Sequence, residues 1–103
     1  MPLTAQQKRK FRSIGHQLKP VILVGDKGIS EAIVSETQRA LTDHELIKVS
    51  IRQSDREARS ALSEQLCSEC KAELVQKIGN ISLIYKAAEK PNPKLSNLLR
   101  TMI

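Results

Sequence analysis

A chain of 103 residues holds one small domain, with seventeen Lys and Arg against eleven Asp and Glu, a net charge of +6 and an isoelectric point near 9.6. A domain of this size buries roughly 60 to 70% of its unfolded surface and folds alone, and so basic a surface favours an acidic partner such as nucleic acid or an anionic membrane. No apolar run approaches the roughly 18 residues of a membrane span, and the polar, helix-patterned start is unlike a signal peptide, so a cytoplasmic protein with no membrane partner is expected.

Thr4 and Gln7 have the spacing of a capping box, and Phe11, Ile14 and Leu18 follow on one side of a first helix. Its other side holds Lys8, Arg9, Lys10 and Arg12, either a solvated outer surface or one that contacts phosphate. Residues 20–24 read as a short buried strand. Ser30 then caps a second helix whose inner face is Ile33, Val34, Thr37 and Leu41, with Ile29 and Val34 placed as a hydrophobic staple. After His44 the period changes to two: Ile47, Val49 and Ile51 face one way and Lys48, Ser50 and Arg52 the other, the pattern of a half-buried strand.

Ser54 and Glu57 suggest a capping box for a third helix carrying Ala58, Ala61, Leu62, Gln65 and Leu66. Residues 74–78 and 81–86 read as strands joined at Gly79-Asn80, a two-residue hairpin signal. The order α-β-α-β-α-β-β predicts a single α/β domain over residues 1–88 with a four-stranded mixed sheet, the helices of its two crossovers lying on one face. In the tail, residues 89–103, Pro91-Asn92-Pro93 ends regular structure. Leu95, Leu98, Leu99 and Met102 then recur at helical spacing, for a short helix that docks on the domain or a tail that orders against a partner.

Gly25-Asp26-Lys27-Gly28 is the stretch closest to a chemical motif. Glycines between a strand and a helix N-terminus allow unusual backbone angles and leave main-chain amides near the positive end of a helix dipole, which makes the loop either a phosphate cradle or simply a tight turn. It lacks the Gly-Lys-Ser/Thr of a Walker loop and the third glycine of a dinucleotide fingerprint. Phe11 and Tyr85 are the only aromatic residues. A base-stacking surface needs two or three rings in register, so a nucleic acid would be gripped by phosphates and sugars.

Cys67 and Cys70 form a Cys-x-x-Cys near the end of the third helix, not at the helix N-terminus where a redox thiol is activated, and no further ligands stand at zinc spacing. Two reduced thiols are expected, Cys67 packed and Cys70 more exposed, with no metal site. His16 and His44 have no nucleophile or orienting partner in view, and His44 is placed to interact with the end of the second helix. Arg56 and Arg59 are either a charged helix start or arginines that face RNA.

Together the basic first helix, residues 14–21, the Gly25–Gly28 loop, residues 44–49, residues 75–79 and residues 83–86 resemble the bacterial YhbY-type proteins, stand-alone versions of the CRM (chloroplast RNA splicing and ribosome maturation) domain. The resemblance runs from about Thr4 to Lys86. It implies a compact α/β domain related in shape to the C-terminal domain of a bacterial translation initiation factor, with the glycine-loop logic of KH domains. It also implies association with structured RNA of the precursor large ribosomal subunit, without catalytic activity; no cofactor or small-molecule substrate is expected, and nothing in the sequence demands more than a monomer. Carried over to this sequence, the RNA-facing set is Gly25, Asp26, Lys27 and Gly28, supported by Lys8, Arg9, Lys10, Arg12, Lys19 and Lys48. Two positions depart from the family pattern: Asp26 is a carboxylate within the loop, and Lys86 replaces the usual arginine and so lacks its planar fork. Two other functional classes remain: a protein-interaction module gripping through Leu98, Leu99 and Met102, and a thiol oxidoreductase using Cys67 and Cys70.

Overall fold

Thr4 starts the first helix by a reciprocal cap: its hydroxyl accepts the Gln7 amide at 3.1 Å while the Gln7 side chain accepts the Thr4 amide at 2.9 Å. The computed structural model, which describes residues 3–25 and 27–98, then runs α1 (Ala5–Gly15), β1 (Pro20–Val24), α2 (Glu31–His44), β2 (Leu46–Ile51), α3 (Arg56–Cys70), β3 (Glu73–Ile78) and β4 (Ile81–Tyr85). The strands form one mixed sheet in the order β1-β2-β4-β3, with β1 parallel to β2 and β4 antiparallel to both β2 and β3. The crossover through α2 joins neighbouring strands. The one through α3 leaves a gap, which β4 fills by turning back at Gly79-Asn80, where Gly79 has φ +57°.

Both crossover helices pack on one face of the sheet, as the connection rules require. Leu41 of α2 and Leu66 and Cys70 of α3 join Ile22, Val24, Ile47, Val49, Ile51 and Ile84 in the larger core, with Ile29 and Val34 packed at its rim. The opposite face is covered by α1, whose Phe11, with Ile14 and Leu18 alongside, meets Leu46, Val75 and Leu83. Gly15 lets α1 approach closely: a Cβ there would stand 2.6 Å from Leu83 Cδ2. The sheet is thus a middle layer, and β2 is buried from both sides at Leu46 and Ile47.

Several local expectations change. Residues 20–24 are not a fully buried strand: β1 is the sheet edge, α1 does not reach over it, and Val21 and Leu23 stay 53% and 51% exposed. The cap of α3 is Asp55 rather than Ser54, its carboxylate accepting the Ala58 amide at 3.2 Å. A carboxylate at that position also complements the helix dipole, while the Ser54 carbonyl is engaged by Arg59. Cys70 is the more buried cysteine, with no exposure at all, because the last turn of α3 lies against α2 and the Cys70 thiol points at the Val34 carbonyl, 3.9 Å away.

The tail folds back across the end of α2. Glu45, buried and in positive φ (+63°), accepts the Ala88 amide at 3.0 Å and the Ser96 hydroxyl at 2.7 Å through its two carboxylate oxygens. Asn97 donates to the Leu46 carbonyl at 2.6 Å. His44 Nδ1 lies 2.8 Å from the Leu95 carbonyl; a carbonyl only accepts, so Nδ1–H is the donor and His44 pins the tail. Leu98 joins the α1-side core, whereas Leu99 and Met102 lie outside the described residues.

Candidate nucleic-acid interface

Strand direction decides what gathers at each end of the sheet. Because β1, β2 and β3 run the same way, the Gly25–Gly28 turn, the segment joining β2 to α3, and the β3–β4 hairpin all emerge at one end. The N-termini of α2 and α3 open there too, so their positive dipole ends share that edge.

Within the turn the two glycines differ. Gly28 has φ +75°, a left-handed conformation that L side chains adopt at a cost, and its amide donates to the Gly25 carbonyl at 3.1 Å to close the turn. A Cβ on Gly25 would meet nothing within 4 Å. The Ile33 amide, at the mouth of α2, donates to the Ser30 hydroxyl at 3.2 Å. Two of the main-chain donors that the sequence offers to a phosphate therefore already have internal acceptors. What the turn does present is the exposed Lys27, held next to a helix N-terminus. Asp26 lies outside the described residues.

The other predicted cations are distributed rather than gathered at the loop. Lys8, Arg9, Lys10 and Arg12 ride on α1, on the opposite face of the sheet from α2 and α3, with Arg9 and Lys10 exposed and Lys8 and Arg12 half-buried. Lys48 lies on that same face, in a small hollow of about 120 Å³ beside Gly15, His16 and Gln76. Lys19 precedes β1 and lines a depression with His44 and Asn97, at the far end of that strand from Lys27. Five strand residues separate the two, roughly 16 Å.

Sequence reasoning gave no RNA-facing role to Arg52 or Lys77, and left Arg56 and Arg59 open. All four stand at the end of the sheet that carries Lys27. The available signal was positional: Arg52 directly follows β2 and Lys77 is the penultimate residue of β3, strands that finish at the same end of the sheet as the loop.

The two rings do not form a stacking platform. Phe11 and Tyr85 pack against each other, centroids 4.7 Å apart and tilted by 43°, beneath α1. The thiols are not tuned for redox chemistry either. Burial, followed by the nearby Cys70 and Glu64, pushes Cys67 from 9.0 up to about 11, and burial also raises Cys70. A nucleophilic thiol needs the opposite shift. Among the described residues, no three His, Cys, Asp or Glu side chains are grouped to hold a metal, and no helix is long and apolar enough to cross a membrane.

The architecture is a mixed sheet between one helix and two, with a glycine turn leading into α2 and cations along one end of the sheet. The model of the CRS1 / YhbY (CRM) domain matches residues 3–86, and the chain belongs to that family. It is 48% identical over 100 residues to the "Probable RNA-binding protein PA4753" of Pseudomonas aeruginosa, covering 97% of this chain and 96% of that one. An "RNA-binding protein" of Haemophilus influenzae is 36% identical over 93 residues, covering 90% of this chain and 94% of its own length. Among solved structures, the solution structure of SAV1595 from Staphylococcus aureus superposes with a TM-score of 0.77 at 35% identity, over 86% of this chain and 93% of that one.

Proposed function

We propose that this protein binds structured RNA through its phosphates and acts as an assembly factor on the precursor of the large ribosomal subunit, positioning RNA without cutting it. The observation that carries this reading is the exposed Lys27 on a turn shaped by Gly28, at the sheet end where α2 and α3 direct their N-termini. Family membership, relatives named as RNA-binding proteins and the net charge of +6 support it. The packing of Phe11 against the half-buried Tyr85 supports backbone contact over base stacking. The basic outer face of α1 would supply further charge, and Gly25 room for the strand to approach.

The direct experiment measures RNA affinity across a salt series. With three to five phosphates contacted at a slope of about −0.7 each on single strands, affinity falls more than tenfold between roughly 50 and 200 mM salt. Lys27→Glu is expected to weaken binding about tenfold, and more than the same change at Lys90, an exposed tail residue. Equal losses at the two positions defeat the loop as the contact, and salt-independent affinity defeats the electrostatic account. A gradient profile locating the protein on precursor large-subunit particles tests the assembly role.

A further inference from the structure

Between the first turns of α3 and the β3–β4 hairpin lies a cleft of about 360 Å³ that the glycine turn does not line. Its walls carry Arg56, Arg59 and Lys77, together with Ser60, Asn80 and Ser82, over a floor at Ile51. Three cations converge on one concavity. Asp55 and Glu57 flank Arg56 in the chain, but no carboxylate lines the cleft among the described residues. A concave, single-sign site of this kind concentrates anions.

The walls are held in place from within the fold. Arg59 donates through Nη1 to the Gln53 carbonyl at 2.8 Å and the Ser54 carbonyl at 3.2 Å, which fixes its guanidinium against the β2–α3 segment. Its Nε is buried and has no hydrogen-bond partner. A buried donor without an acceptor is rare because leaving it unpaired is costly, and the residue that carries it lines the cleft. Lys77 Nζ lies 2.9 Å from the Ser60 hydroxyl, so strand and helix are already bridged by donors. The hairpin is docked on the sheet by the Ile51 amide, which donates to the Asn80 carbonyl at 2.7 Å.

We infer that this cleft is a second phosphate-binding site, in which Arg56, Arg59 and Lys77 grip the sugar-phosphate chain after it leaves the glycine turn. The inference rests on the RNA-binding reading above and extends it to a surface that the turn does not reach. From β1 to β3 the sheet spans three strand spacings, roughly 14 Å. Turn and cleft can thus hold different phosphates of one strand, which gives the bound RNA a direction along the sheet end.

The test uses the full chain carrying Arg56→Gln and Lys77→Gln together. Both side chains are exposed, and Arg59 is kept because it ties the β2–α3 segment. Affinity for an RNA hairpin with a single-stranded 5′ extension, prepared with a 5′-hydroxyl and with a 5′-phosphate, is measured against salt. The double variant should bind on the order of tenfold more weakly, with a salt slope shallower by about 1.4, two lost contacts at roughly 0.7 each. A loss confined to the 5′-phosphorylated RNA assigns the cleft to a terminal phosphate, and equal losses on both assign it to an internal one. In parallel, inorganic pyrophosphate titrated into the native protein should shift the amide signals of Ser60, Gly79 and Asn80, and those shifts should vanish in the double variant.

Native affinity and slope in the double variant, or unmoved amides with pyrophosphate, overturn the site. A Lys27→Glu loss beside unchanged binding by the double variant overturns the cleft while the proposed function stands. If the native protein binds no RNA at all, the function fails, and the pyrophosphate readout still decides the cleft on its own.

Discussion

Gly25 and Gly28 bracket one turn, yet the backbone asks different things of them. Gly28 sits at φ +75°, where a Cβ would meet only an ordinary contact, 3.6 Å from Leu62 Cδ2. The cost of Gly28→Ala is therefore conformational, roughly 1 to 2 kcal/mol. Gly25 has open space around it and no positive φ, so Gly25→Ala should leave stability within about 0.5 kcal/mol of native. Urea unfolding of the two variants checks this. A loss of RNA binding by Gly25→Ala at unchanged stability then reports a steric contact with ligand rather than damage to the fold. Both glycines stand out in the sequence, but which one the backbone needs depends on a dihedral angle that sequence spacing does not encode.

Among the elements, the join between α2 and β2 has the largest unforeseen role. Glu45, next to His44 in the chain, is buried, and its two oxygens hold Ala88 and Ser96. Hydrogen bonds to a charged acceptor contribute about 1.5 to 3 kcal/mol each. Glu45→Ala should thus destabilise the domain by about 2 to 4 kcal/mol. It should also free the Ala88 amide for hydrogen exchange while that of Val49 at the sheet centre stays protected. Glu45→Gly, which relieves the positive φ, should lose about 1 kcal/mol less than the alanine variant. Unchanged Ala88 protection in Glu45→Ala would show that the tail is held some other way. The helices themselves were legible from capping and period, as Thr4, Ser30 and the α1 and α2 faces show. The start of α3 slipped by one residue because Ser54 and Asp55 are both competent caps and only their surroundings choose between them.

At the scale of the whole molecule, burial links the core to pH. Cys67 is raised to about 11, and Tyr85 is raised by burial and then by Glu45 and Glu73. In both cases the folded state holds its proton more tightly than the unfolded chain. The folded state is therefore fully favoured below the ordinary values of 9.0 and 10.0, and that advantage is lost as pH climbs through the raised ones. Denaturant midpoints should be level between pH 7 and 8.5 and fall between about pH 9 and 11. Cys67→Ser should flatten part of the decline, and an undiminished decline in that variant would remove Cys67 as its cause. The sequence by itself determined the element order, the apolar faces of α1, α2 and β2 and the net charge, since these follow from period, caps and composition. Only the tertiary structure decided that β1 is a half-open edge, that Cys70 is fully buried, and that Arg56, Arg59 and Lys77 share a cleft. Those facts depend on strand order and on which layer covers which face, and residues distant in the chain are brought together only when β4 inserts between β2 and β3.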